Sequence, residues 1–214
     1  VPTKTKSNEQ YCGVKFEVCY RSNQLPESEH YPRFLQWNHL FATKGLAPEH
    51  ASGSYGNMSF RLSAQCPSFI ITRTSASLKN MTMADCICVD SCDFEQFKIN
   101  VRGTAEPSSE SFIHAKLYEQ LPAVNAIFHG HSDAILSLKS IPTTEEEYPY
   151  GTLELMHAAL KLKEHAVFNL KNHGFFSTAP TLDIAGEQAT ALLGQKKIIL
   201  ISKALDRFAK VYRR

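Results

Sequence analysis

The chain of 214 residues contains no apolar run approaching the roughly 18 to 20 residues needed to cross a bilayer. Its first ten residues, VPTKTKSNEQ, carry no apolar signal-peptide core. Both gaps lead to the expectation of a soluble, cytoplasmic protein with no membrane partner. An excess of one charge is also missing, since 23 Lys and Arg stand against 21 Asp and Glu. That balance does not argue for a polyanion-binding surface, though it leaves room for a local basic pocket, and no nucleic-acid partner is expected. Cysteine is sparse, with six in the chain. A core of this size needs no disulfides, and free thiols follow as the expectation. Cys86, Cys88 and Cys92 lack zinc-finger spacing, and strand alternation puts Cys86 and Cys88 on one face as small buried residues. There is no fixed-period repeat. What is present is an ordinary globular composition, 43% hydrophobic and 21% charged, which excludes intrinsic disorder.

Residues 1–30 read as an N-terminal extension with a short strand marked by Val14, Phe16 and Val18, and 31–214 as a single domain. From Tyr31 to Lys44, Phe34, Leu35, Trp37, Leu40 and Phe41 fall on one side of a helix stopped by Gly45. Met58, Phe60 and Leu62 alternate in a strand, and a turn over Ser63–Pro67 joins it to a second strand, Ser68–Thr74. A short helix or turn at Ser77–Asp85 leads to strand Cys86–Asp90 and a return strand at Phe97–Val101. Ser108 and Ser109 stand where they can cap a helix carrying Phe112, Ile113, Leu117 and Leu121 up to Pro122. The spacing then predicts a strand at Asn125–Ser132, helices at Gly151–Glu164 and Thr181–Ala209, and a strand at Ala166–Leu170 between them. Strands alternating with helices give an α/β fold with helices on both sides of one sheet.

The sharpest chemical feature is His129-Gly130-His131 at the end of a strand, where residues two apart share a face about 6.6–6.8 Å apart along the backbone. His173 follows 42 residues later, again where a strand runs into a loop. Three imidazoles on strand ends form the open arrangement used by catalytic zinc or a similar divalent transition metal. Two histidines at a strand end are, taken alone, more often structural than ligating. Glu110 reads as an ordinary first-turn acid of a helix when taken alone, as does Glu106. Ser108 and Ser109 at a helix N-terminus suit either capping or an anion. The run Glu145–Glu147 reads as a solvated loop. His114, four residues past Glu110 on the same helical face, either touches the site or packs, and His157 and His165 read as structural or exposed.

The ordered set Gly56-Asn57-x-Ser59, Thr74-Ser75, Ser108-Ser109-Glu110, His129-x-His131 and His173-Gly174 resembles the class II aldolase/adducin family. The resemblance covers about Phe34 to Ala191. It implies a three-layer α/β/α fold with a central mixed, mostly antiparallel sheet. It also implies zinc, or another divalent transition metal, on His129, His131 and His173, with Glu110 as a further ligand and the acid/base group. Gly56, Asn57, Thr74, Ser75, Ser108 and Ser109 match positions that hold a substrate phosphate. The implied activity is cleavage of a ketose phosphate to dihydroxyacetone phosphate and an aldehyde through a metal-stabilised enediolate, in a cytoplasmic homotetramer. The same scaffold serves pentulose-phosphate epimerases, a methylthioribulose-phosphate dehydratase and the non-catalytic adducin-type interaction domain. Two departures stand out. Ser75 replaces the family's glycine, where its side chain can crowd a phosphate or donate to it. The interval from His131 to His173 is shorter than usual and omits the region of a proton-transferring tyrosine. Tyr148, Tyr150 and Tyr212 are the candidates to replace it, and spacing assigns none of them.

Overall fold

Alternation along the strands divides the molecule into layers. A computed structural model describes residues 15–64 and 66–195. In chain order the elements are β1 (Glu17–Ser22), α1 (Tyr31–Thr43), β2 (Glu49–His50), β3 (Gly53–Ser54), β4 (Gly56–Arg61) and β5 (Phe69–Thr72). They continue with β6 (Cys86–Asp93), β7 (Lys98–Arg102), α2 (Ser111–Gln120), β8 (Ala126–Gly130), α3 (Asp133–Leu136), α4 (Leu153–Leu160), β9 (Val167–Leu170) and β10 (Gly174–Ala179). A last helix, α5, occupies 182–195. Eight strands form one sheet in the order β1-β7-β6-β5-β4-β8-β10-β9, and β2 and β3 pair separately. Neighbours run antiparallel except β1 and β7, which are parallel.

Successive strand side chains point to opposite faces. Met58, Phe60, Ile70, Cys86, Cys88 and Phe128 enter a core shared with α1 and α5. Phe69, Ile71, Ile87, Val89, Ile127 and Phe176 enter a second core beneath α2 and α4. The result is the expected three-layer α/β/α arrangement around a mixed, mostly antiparallel sheet. Helix α1 buries Tyr31, Phe34, Trp37 and Phe41, each such side chain contributing roughly 1.5–3 kcal/mol. Gly45, at φ +74°, ends the helix, and the amides of Gly45 and Leu46 bond back to Ala42 and Phe41.

Several boundaries differ from those expected. The first strand is 17–22 rather than centred on 14–18, and it adds to the edge of the main sheet beside β7. Phe16 leaves the strand and stacks on Phe112, ring centroids 5.0 Å apart. The N-cap position of α2 falls to Glu110 rather than to Ser108 or Ser109, and the Ser108 hydroxyl accepts from the Glu110 amide at 3.3 Å. Helix α4 begins after Thr152, whose hydroxyl accepts from Leu155 N, because Gly151 at φ +66° cannot be helical. Strand β6 runs on to Asp93, and α3, β2 and β3 are too short for a periodicity signal. The part of the last helix beyond 195 lies outside the described residues, as do Val14, Cys12 and Tyr212. The cysteines among the described residues are unpaired.

Candidate metal and substrate site

Strand register gathers the site at one end of the sheet. Across β4 and β8, Gly56 pairs with Gly130 and Asn57 with His129. Across β8 and β10, Phe175 pairs with Gly130 and Phe176 with His129. His131 lies one residue beyond β8, its amide held by the Leu46 carbonyl at 2.8 Å. His173 closes the β9–β10 hairpin, turned into place by Asn172 at φ +57°, a conformation that asparagine tolerates better than most residues. Glycine is required at two points. A Cβ on Gly130 would lie 2.6 Å from the Phe41 ring and the Leu46 carbonyl, and one on Gly174 would lie 2.6 Å from the His129 ring. The glycines between and after the histidines thus let the imidazoles converge.

They do converge. One nitrogen from each of His129, His131 and His173 lies within 4.8 Å of the others. Glu110 reaches the same point from the start of α2: Oε2 is 3.1 Å from His129 Nε2 and Oε1 is 2.9 Å from His173 Nε2. The Asn57 amide donates to Glu110 Oε2 at 2.6 Å. Glu110 is 5% exposed and His129 1%, so Glu110 is far from the solvent-facing first-turn acid that it resembles in isolation.

Burial alone would raise the Glu110 pKa, but His129, His173 and Asn57 together hold the carboxyl well below the usual range. Burial pushes His129 down to about 4, against the opposing pull of Glu110. His129 is therefore a neutral imidazole at pH 7. Its Nδ1 faces the Phe175 carbonyl at 3.0 Å, and since a carbonyl only accepts, Nδ1 carries the hydrogen. Nε2 then offers its lone pair to the same point as a carboxylate oxygen at 3.1 Å and the His131 Nε2 at 3.0 Å. Lone pairs gathered in this way suit a shared cation. This donor set, three imidazoles and a carboxylate, fits a divalent transition metal, with the Phe175 carbonyl fixing the ring of one ligand.

The residues expected to hold a phosphate fall into two linked groups. Gly56 and Asn57 lie beside His129, the glycine at φ +105° against the His129 carbonyl. The Thr74 amide bonds to Glu106 O at 2.9 Å and the Ser108 amide to Thr72 O at 3.1 Å, which sets the Thr74-Ser75 turn beside Ser108 and Ser109. Arg73 clamps this turn through the carbonyls of Thr74 and Ser75 while bonding to Asp85. Ser75 itself sits at φ +54°, so the backbone here has the left-handed shape that glycine serves best. Asn57 spends an amide hydrogen on Glu110, a role the sequence did not assign it.

Other partners also lay beyond the sequence. His114 is buried, with Nδ1 2.7 Å from the Ser59 hydroxyl, which is 2.8 Å from Tyr118 Oη. Burial lowers the His114 pKa to about 3. Glu110, His114 and Tyr118 recur every four residues on α2, a helical-face signal that was legible as far as His114. The loop carrying Tyr148 and Tyr150 borders the site at both ends. Glu147 accepts from Asn172 at 2.7 Å beside His173, and a Cβ on Gly151 would lie 3.5 Å from Ser109 O. Glu145, Glu146 and Glu147 are exposed, as are Glu106, His157 and His165. A cleft of about 420 Å³ lined by Arg61, Cys66, Phe94 and Tyr118, among others, includes none of the expected site residues.

Together these features define an α/β/α protein with a histidine and carboxylate cluster suited to a divalent ion at one end of a mixed sheet. The chain belongs to the class II aldolase and adducin N-terminal domain family, whose profile matches residues 33–195. It is 32% identical to a methylthioribulose-1-phosphate dehydratase of Yersinia enterocolitica over 114 residues, 53% of this chain and 49% of that protein. It is 29% identical to an L-fuculose phosphate aldolase of Methanococcus maripaludis over 143 residues, 59% of this chain and 73% of that one. The match thus spans about half the length of the dehydratase. In fold it is similar to an L-fuculose 1-phosphate aldolase, with TM-score 0.69 and 22% identity, covering 85% of this chain and 89% of that one. A sugar-phosphate aldolase from Thermotoga maritima gives 0.66 and 19%, covering 81% and 94%.

Proposed function

We propose that the protein is a metal-dependent lyase acting on a small ketose phosphate, and that its reaction is aldol cleavage yielding dihydroxyacetone phosphate and an aldehyde. The observation that carries this reading is the placement of Glu110 between His129 and His173, within 2.9 to 3.1 Å of both. His129, His131, His173 and Glu110 would hold zinc or a similar divalent ion. The ion would supply Lewis-acid stabilisation of the negative charge that develops on the carbonyl oxygen as the bond breaks. Gly56, Asn57, Thr74, Ser75, Ser108 and Ser109 bind the phosphate through amide, hydroxyl and main-chain donors and so fix the reacting carbons. Glu110, ionised at pH 7, accepts the proton that leaves the substrate hydroxyl and returns it to the product.

The sequence likeness to the Yersinia enterocolitica dehydratase favours a second reading, loss of water from a methylthioribulose phosphate at this same site. Incubating the zinc-loaded chain with L-fuculose 1-phosphate, ribulose 5-phosphate and methylthioribulose 1-phosphate separates the readings. Dihydroxyacetone phosphate marks cleavage, an unbroken carbon chain one water lighter marks dehydration, and an inverted centre marks epimerisation. Turnover of none of the three contradicts the proposal and favours an adducin-type interaction role. The reading includes a cytoplasmic homotetramer, which sedimentation of the purified chain tests.

A further inference from the structure

The segment 46–55 is fastened on both sides of the site. Leu46 O receives the His131 amide at 2.8 Å, and Pro48 O receives the Tyr55 amide at 2.9 Å. On the other side the Ser54 amide bonds to Ala76 O at 2.9 Å, and a Cβ on Gly53 would lie 2.7 Å from Ser75 O. The small β2–β3 hairpin therefore bridges from the histidines to the Thr74-Ser75 turn. At its end stands Tyr55, with its ring 4.5 Å from His50 and 5.4 Å from His131, centroid to centroid. The row of rings continues from His131 to His173 at 4.8 Å. Tyr55 is 49% exposed, and among the described residues its hydroxyl has no hydrogen-bond partner.

We propose that Tyr55 is a substrate-binding residue that walls the site between the histidines and the Thr74-Ser75 turn and donates its hydroxyl to an oxygen of the bound sugar phosphate. This rests on the functional reading above. A phosphorylated carbon chain that places its carbonyl at the histidines and its phosphate at the turn runs past this ring. Two flanking imidazoles hold the ring, so little rotamer freedom remains to be lost on binding. Tyr55 immediately precedes Gly56 and Asn57, so the strand that presents those two groups presents the phenol as well.

The test is calorimetry of dihydroxyacetone phosphate binding to the zinc-loaded full chain, comparing wild type, Tyr55→Phe and Tyr55→Ala. Loss of one neutral hydrogen bond predicts about three- to tenfold weaker binding for Tyr55→Phe, and a larger loss for Tyr55→Ala, with zinc content unchanged. In the metal-free chain, the ring C–H proton resonances of His131 shift in Tyr55→Ala and stay in place in Tyr55→Phe. Both variants binding as tightly as wild type would overturn the role of Tyr55 and leave the functional reading intact. Wild type that binds the ligand yet turns over none of the three sugar phosphates removes the functional reading only. Wild type that fails to bind overturns both.

Discussion

Glu110 illustrates how a single side chain takes its character from its neighbours. On a helix face it would be an ordinary acid, but here the His173 imidazole and the Asn57 amide hold it ionised in a buried position. Glu110→Gln is expected to lower turnover by about 10²- to 10⁴-fold while a near-stoichiometric metal remains. Steady-state rates beside metal analysis check this, and an unchanged rate would remove the acid/base role. Ser75 holds a left-handed conformation at φ +54°. Ser75→Gly should therefore stabilise the chain by roughly 1 kcal/mol in urea unfolding, and a loss of stability would contradict the strain. The three histidines and Glu110 were legible because their types and order are restrictive. The Phe175 carbonyl and the Glu110 bond of Asn57 were not, since a main-chain acceptor leaves no trace in the sequence and one amide can serve either a phosphate or a carboxylate.

At the scale of elements, helix α2 couples the site to the core. Its N-terminus presents Glu110, and one and two turns later His114 and Tyr118 meet Ser59 on β4, two residues from Asn57. His114→Ala takes from the buried Ser59 hydroxyl its imidazole partner and opens a cavity, with an expected cost of about 3 kcal/mol in urea unfolding. The pH dependence follows in sign. Native His114 and His129 titrate at about 3 and about 4, below the ordinary 6.5, so between these values the unfolded chain binds protons that the native chain does not. Stability is therefore full above 6.5 and falls as the pH drops towards 4, by up to about 1.4 kcal/mol per pH unit for each histidine. Urea midpoints at pH 7.5 and 5 measure it for the metal-free chain, and a flat profile would contradict neutral burial. Period-2 and helical patterns made the long strands and helices legible. The two-residue strands and the one-turn α3 fall below any period, and the start of α2 was misplaced because Ser108 and Ser109 look like caps when Glu110 holds that position.

For the whole molecule, two apolar cores on opposite faces of one sheet follow from strand alternation, which is why the layered fold was visible before its topology. The parallel union of β1 with β7 was not, because residues 17–22 meet 98–102 through backbone bonds that composition does not encode. The described cluster draws one ligand from β8, one from the loop after it, one from the β9–β10 hairpin and one from α2, so a bound ion would tie sheet and helix together. Stripping it with a chelator should lower the melting temperature by several degrees in calorimetry, because a ligand of the native state alone stabilises that state. The account depends above all on that ion. The direct measurement is metal content after equilibration with zinc and desalting, for wild type beside His129→Ala and His173→Ala. The expected result is close to one zinc per wild-type chain and a loss of most of it in both variants. A wild-type chain that retains none, or variants that retain as much as wild type, would contradict the account.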